Sequence, residues 1–349
     1  MKGRTSFLKK RSKKLLQIAS SFQSTKAGSV PPVTVKSFLV LFFKKELRLL
    51  LCCCFPLAHA GAVTLQAGQG KRYATPSEAI AQAEPGDTVA IYPGQYFDCA
   101  VVTVPRLTII GMGDPADIVM TDKTCQEKAI LVIEAPYVTV RNLTLTRARV
   151  PDENGAGIRM EGGTLTVSGV HFINNQDGIL TAPGPTWVLS VSDSLFEKNG
   201  TCKQYCAHGI YAGGIGLLQV RNTIFRATKD GHHIKSRALA TDISGCTIED
   251  GPNGTASYLI EVPNGGSLSV RGSTLEKGPR ATNNSAAIVI GSEGVSQPTP
   301  EIVVENNDFT NDMPVRTIFV RNLTATEADL RGNHLHGKVE PLEGDGNVN

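Results

Sequence analysis

Aromatic residues are scarce in this chain. Phe, Tyr and Trp make up 6% of its 349 residues, with a single Trp. After residue 60 no stretch repeats apolar residues at helical spacing, which excludes a doubly wound α/β fold. The apolar run Leu49 to Leu57 is too short to cross a bilayer comfortably. After residue 60 there is also no C-x-x-C pair, so a zinc ribbon is not expected. Nor is there a basic surplus in that part of the chain. Residues 1–50 hold twelve Lys or Arg against one acid, Glu46, which is a charge of +11. The whole chain is +3, so residues 61–349 carry −8. An acidic body excludes non-specific nucleic-acid binding, which needs a basic surface.

The N-terminus reads as a leader. Lys44, Lys45 and Arg48 form a charged region, Leu49 to Leu57 an apolar one, and Ala58-His59-Ala60 an A-x-A cleavage signal. The expectation is export to the periplasm or the medium, with no stable membrane span after cleavage. An uncleaved anchor or a basic tail is the alternative. Residues 1–60 are thus read as leader, 61–338 as the folded body and 339–349 as a polar tail or end cap. Five cysteines remain beyond the leader. Cys202 and Cys206, in the polar loop NGTCKQYC, could close a small ring, and Cys246 is expected to be a buried free thiol.

What the body does have is glycine, 35 in the whole chain, and a repeat. An aliphatic residue, two mostly small or polar residues and an apolar residue five places after the first recur as VRNLTL from 140, VSGVHF from 167, VSDSLF from 191 and VRNTIF from 220. The series continues as ISGCTI from 243, VRGSTL from 270, VENNDF from 304 and LRGNHL from 330. The fifth-place residues are Leu145, Phe172, Phe196, Phe225, Ile248, Leu275, Phe309 and Leu335. Short alternating strands such as GIRM, GILT, GIYA, HIKS and LIEV lie between the units. A unit of some 26 residues cannot close a core alone. Stacked in parallel, each unit covers the next.

This pattern resembles the right-handed parallel β-helix of the pectin-lyase-like superfamily, over about residues 70–338. The resemblance implies an all-β solenoid. The stretch RYATPSEAIAQAEPGDTVAIYPGQY is similar to that superfamily's N-terminal cap: Thr75-Pro76-Ser77-Glu78 is a capping box that starts a short helix through about Ala83. Cys99 and Cys125, one repeat apart, would then sit on adjacent coils, close enough to bridge. The resemblance also implies a polysaccharide as substrate or ligand. A monomer is expected, and the acidic body implies no nucleic-acid partner. No cofactor is expected, with calcium the single ion left open and no metal site assigned.

Aligning the strands on Ile158, Ile179, Ile210, Ile234, Ile260 and Ile288 leaves an outward column of Arg159, Leu180, Tyr211, Lys235, Glu261 and Val289. The segment DGHHIKSRA, residues 230–238, should then present His233, Lys235 and Arg237 outward, with His232, Ile234 and Ser236 inward. Asp177 and His208 precede glycines, where a turn could swing them outward. Such a patch suits acid-sugar chemistry. β-Elimination at a uronate must neutralise the sugar carboxylate, remove the C5 proton and protonate the leaving oxygen, and C5 epimerisation needs much the same groups. The expected roles are Arg237 as carboxylate clamp, Lys235 as base, and Tyr211 or His233 as acid, with His208 in reserve. Arg159, Asp177 and Glu261 are expected to line the substrate. The competing view is a non-catalytic carbohydrate-binding or structural β-helix of the cell envelope, in which Lys235 and Glu261 are a plain cross-strand ion pair that raises the lysine pKa. A hydrolase would need paired carboxylates, and Asp177, Glu261 and Asp230 fall on separate coils. The clustered aspartates of polygalacturonase-type β-helices and the acidic calcium cluster of pectate lyases are both missing.

Overall fold

The computed structural model describes residues 61–349, so the expected leader lies outside the described residues. Each coil turns on a residue that tolerates left-handed backbone. The third place of the repeat is occupied in turn by Asn142, Gly169, Asp193, Asn222, Gly245, Gly272, Asn306 and Gly332, and every one has φ between 47° and 64°. Asn, Asp and Gly reach this region at least cost, which is why the two places after the leading aliphatic are small or polar.

Between these turns the chain forms three long parallel sheets of twelve, ten and ten strands. The first runs from Thr64–Ala67 to Gly346–Val348, the second from Ala100–Val102 to Val339–Glu343 and the third from Gly94–Tyr96 to His334–Gly337. Successive coils contribute one strand to each sheet, and the coil winds as a right-handed parallel β-helix. Among the described residues the one antiparallel strand pair is the hairpin Thr201–Cys202 with Cys206–Ala207, whose two cysteines are joined. Cys99 and Cys125 are also joined, with Cα atoms 5.5 Å apart. Cys246 is free and buried.

The fifth-place residues pair directly from coil to coil. Phe172, Phe196 and Phe225 stack inside the coil with ring centroids 4.5 and 4.6 Å apart. A polar ladder closes the corner beside them. Asn175 accepts the Ala148 amide, and Asn199 accepts the Asn175 amide and donates to the Phe172 carbonyl, all out of water. The sequon asparagine Asn199 is fully buried, so it serves this ladder.

At the N-terminal end Thr75 caps a helix of Pro76–Ile80. Thr75 Oγ1 accepts the Glu78 amide at 3.4 Å and Glu78 Oε2 accepts the Ala74 and Thr75 amides. Pro76, Ala79 and Ile80 are buried. The helix stops three residues short of the expected Ala83. At the far end residues 339–349, expected as a polar tail or end cap, form the strands Val339–Glu343 and Gly346–Val348, which pair with Thr317–Asn322 and Ala328–Arg331. Their polar composition hid them, because end strands have no further coil to cover them and need no apolar alternation. No helix among the described residues is long and apolar enough to cross a membrane.

Candidate functional site

The aligned isoleucines pair as the strand pattern implies, Ile158 with Ile179, then Ile210, Ile234, Ile260 and Ile288, and all are fully buried. The residue after each stands on the outer face of the second sheet. Two places earlier the alternation breaks. A Cβ on Gly157 would lie 2.7 Å from Phe172 and one on Gly178 2.6 Å from Phe196, so this column points into the stacked phenylalanines. His233 occupies the same column. It is fully buried, edge-on to Phe225 at 6.4 Å, and bonded to Thr228 Oγ1 at 2.9 Å and Asp250 Oδ1 at 3.0 Å. The expected outward His233 and inward His232 are therefore exchanged. The strand begins only at Ile234, after a left-handed Asp230. Period-two alternation does not reach back through that bend.

The preceding column consequently emerges on the outer face as Asp177, His208, His232 and Tyr258. His208 and His232 stack with ring centroids 4.8 Å apart, and His208 meets Tyr211 edge-on at 5.2 Å. Each coil hands a backbone N–H to the one before. The His208 amide donates to Asp177 Oδ1 at 2.6 Å, the His232 amide to His208 Nδ1 at 3.0 Å and the Tyr258 amide to His232 Nδ1 at 3.1 Å. With Nδ1 accepting in both rings, the proton of each neutral imidazole sits on Nε2. His232 Nε2 lies 3.1 Å from Glu261 Oε2.

Beside this ladder the cations gather. Lys235 Nζ lies 2.9 Å from Glu261 Oε2 and 2.7 Å from Glu293 Oε1. Arg237 NH2 lies 2.5 Å from Glu293 Oε2, its Nε donates to the Tyr211 hydroxyl at 2.9 Å and its NH1 to Asn264 Oδ1. Ser292 Oγ donates to Glu261 Oε1 at 2.8 Å. Glu261 Oε2 is close to the Lys235 ammonium and to the His232 Nε2–H, yet neither reaches it at the angle of a full hydrogen bond; the contact with Lys235 is chiefly Coulombic.

Burial and charge set the protonation states. Burial alone would lower the Lys235 pKa, but Glu293 and Glu261 outweigh it and leave it raised. Burial pulls Glu261 the other way from its partners, and His232 and Lys235 hold it far below the carboxylate range. Burial, aided by His232 and Lys235, takes His208 well below the ordinary imidazole value. Burial is also the main cause of the lowered His232 and of an Asp177 raised well above its usual value. At neutral pH the face therefore carries two fixed cations, two fixed carboxylates and two neutral imidazoles.

Of the expected residues, Tyr211, Lys235, Arg237, His208 and Glu261 come together, and His233 does not. Asp177, His208 and Glu261 are only 1%, 2% and 4% exposed, so they support the face from beneath. Arg159 lies two strands from Tyr211 and pairs with Glu161 at 3.2 Å. Sequence reasoning missed His232 as an outward residue, Tyr258, Asn264 and Glu293. The glycines at 157, 178 and 209 were the available signal for the inverted column. Glu293 sits in an aperiodic loop that carried none.

Two cavities lie away from this face. One of about 350 Å³ is lined by Glu249, Gly251, Pro252, Glu276, Pro279 and Asp312, and burial pushes Glu276 up to about 7. Another, of about 430 Å³, lies against the N-terminal cap beside Lys71, Tyr96 and Phe97. Neither contains the cations, phenol and imidazoles that converge on the second sheet, so the chemistry and not the cavity size selects the site. Among the described residues no group of three or more His, Cys, Asp or Glu is disposed to hold a metal ion. His334 and His336 sit on one terminal strand, where His336 pairs with Asp308.

No family model matches the chain, and no curated protein does. Solved structures do. The ORF18 protein of Geobacillus virus E2 superposes with a TM-score of 0.50 at 12% identity, over 76% of this chain and 55% of the viral one. The chain has the right-handed parallel β-helix fold. An alginate lyase from Paenibacillus sp. str. FPU-7 matches at 15% identity and TM-score 0.44, covering 82% of this chain and 99% of the lyase. The A-module of a mannuronan C-5 epimerase from Azotobacter vinelandii matches at 12% identity and TM-score 0.41, covering 78% and 94%. At such identities the likeness describes the fold alone.

Proposed function

We propose that this β-helix engages an acidic polysaccharide, a polyuronate, on the outer face of its second sheet, and acts there by β-elimination or C5 epimerisation. One observation carries the reading: Lys235 and Arg237 share a single carboxylate, and the Tyr211 hydroxyl lies 2.9 Å from the same guanidinium. A uronate needs its carboxylate neutralised before the adjacent C5 proton becomes acidic enough to move. Two cations on one carboxylate supply that. Lys235, held as an ammonium between two carboxylates, is a clamp with Arg237 and not the base. Tyr211 is the proton carrier. In elimination the Tyr211 hydroxyl gives its own proton to the leaving oxygen as the phenolic oxygen takes the C5 proton; the C–H electron pair forms the C4–C5 double bond and the C4–O bond breaks. In epimerisation the phenol first gives its proton to solvent, its oxygen takes the C5 proton, and a water molecule gives a proton to the opposite face of C5. His208 holds Tyr211 by edge contact, and His232 packs its Nε2 against Glu261 at 3.1 Å.

The protein acts outside the cytoplasm in this reading, in keeping with its two cystine pairs and the leader-like N-terminus. A non-catalytic binding role has its own support. Both cations are already closed by Glu261 and Glu293, and both imidazole Nδ1 atoms are taken by backbone amides, so no nitrogen lone pair is free as a base. The deciding test is ultraviolet absorbance of protein from Gly61 onward with a panel of polyuronates, with and without calcium, alongside a proton-exchange assay at C5. Elimination raises absorbance, epimerisation exchanges the proton, and Tyr211→Phe should lower either by at least about 100-fold while weakening binding by no more than about tenfold. Binding without absorbance change or exchange in the unmodified protein leaves the non-catalytic role.

A further inference from the structure

The carboxylate shared by Lys235 and Arg237 comes from an unexpected part of the chain. Glu293 follows the strand Ala286–Ile290, and its side chain reaches back across the strand Ile260–Val262 to the strand Ile234–Ser236, two strands away. The loop between Ile290 and Ile302 holds it there. The Glu293 amide donates to the Pro263 carbonyl at 2.9 Å, the Ser296 and Gln297 amides to the Asn264 carbonyl at 3.0 Å, and Gln297 Nε2 to the Arg237 carbonyl at 2.8 Å. Each Glu293 oxygen meets its own cation, Oε1 the ammonium and Oε2 the guanidinium.

The two glutamates at this site differ in permanence. Glu261 is enclosed, with 6% of its side chain exposed, and is tied also to His232 and Ser292. Glu293 is 42% exposed and bonds through its carboxylate to the two cations. With Glu261 counted against one of the cations, a single positive charge remains, spread over Lys235 and Arg237. A planar two-oxygen anion matches that arrangement in charge and shape. Resting on the polyuronate reading above, we infer that Glu293 is an internal stand-in for the substrate carboxylate: Lys235, Arg237 and the Tyr211 hydroxyl form a carboxylate seat, and a uronate enters it by displacing Glu293. The loop thus selects for chains that offer a carboxylate in exchange, because a neutral sugar that pushed Glu293 aside would leave the charge uncompensated.

The test uses a monosaccharide, so that it does not depend on the polymer. Thermal unfolding of the unmodified protein, of Glu293→Gln and of the double variant Glu293→Gln with Arg237→Gln is followed with D-galacturonate, acetate or galactose. Glu293→Ala serves as a second variant should the amide refill the seat. Galacturonate and acetate should raise the melting midpoint of the single variants by roughly 3 °C at ten times the dissociation constant. They should shift the unmodified protein much less and the double variant not at all, with galactose inert throughout. Equal shifts in the unmodified protein and the single variants, or none in either single variant, would overturn the inference. A parallel titration with polyuronate separates the two readings. Polymer bound with no monosaccharide effect keeps the polyuronate reading and removes the seat, whereas an anion effect with polymer neither bound nor altered keeps the seat and removes the polyuronate reading.

Discussion

Adjacent histidines with opposite orientations make a sharp test of the site's construction. His233 is fully buried, as are Thr228 and Asp250, its two side-chain partners. Asp250 Oδ2 is tied in turn to the Gly278 amide at 3.1 Å. In His233→Ala, Asp250 Oδ1 and the Thr228 hydroxyl lose their partner where no water reaches them. Removing one member of a buried pair costs about 3–5 kcal/mol, and the space left by the ring adds on the order of 1 kcal/mol, so a loss of about 5 kcal/mol is expected. At a urea slope of about 2–3 kcal/mol per molar, the unfolding midpoint falls by about 2 M. His232→Ala removes an acceptor from the Tyr258 amide and a neighbour from Glu261, for about 1–3 kcal/mol. It should also disturb ligand binding, which His233→Ala should spare wherever the protein stays folded. Urea unfolding of both variants, followed by circular dichroism, decides the matter. A midpoint for His233→Ala within about 0.3 M of the unmodified protein, or a larger loss for His232→Ala, would refute the inward placement of His233.

Acid should weaken the protein through the same ladder. His208 and His232 remain neutral in the folded chain to lower pH than in the unfolded one, chiefly because they are buried. The unfolded chain therefore takes up protons first as pH falls below about 6.5, and the stability present above that value is lost on the way down to the folded values. Asp177, raised by burial, acts in the opposite sense: its contribution is present below its unfolded pKa and lost as pH rises through the folded one. His171 is also lowered by burial and Glu276 raised to about 7, so three imidazoles stand against two carboxyls; the urea midpoint should be lower at pH 5 than at pH 7.5, with a shallower fall in His208→Gln. The Cys99–Cys125 bond closes a loop with a sequence separation of 26, and exchanging both cysteines for serine should cost about 3.5 kcal/mol by loop-closure entropy, read from the urea midpoint under non-reducing conditions.

The solenoid was legible because its cause is periodic. The fifth-place apolar residue recurs coil after coil, and each one pairs with the next, Phe172 with Phe196 and Phe196 with Phe225. The cap helix was legible because the Thr75–Glu78 box is local chemistry. The third place of the repeat, always Gly, Asn or Asp, held further information that the apolar pattern alone did not use: it marks one left-handed turn per coil. The last two strands escaped because periodicity fades where there is nothing left to cover.

The site was only half legible, and the missing half changes its chemistry. Register follows from the isoleucines, so the column Tyr211, Lys235 and Glu261 could be placed from residue order alone. Orientation before Ile234 could not, because a strand pattern describes only residues inside the strand, and His232 and His233 precede it. Glycines at 157, 178 and 209 mark where a side chain would strike the core, and His233 is admitted to that column because Thr228 and Asp250 give its ring nitrogens partners. The second counterion was further from view. Glu261 is a cross-strand neighbour of Lys235, whereas Glu293 is 58 residues away along the chain and arrives through a loop with no repeat. One carboxylate would have left open which way burial and charge move the lysine. Two carboxylates, at 2.9 and 2.7 Å, fix it as a cation. In the proposed reaction the proton-transfer role then passes to Tyr211, the residue whose hydroxyl meets the guanidinium of the same clamp.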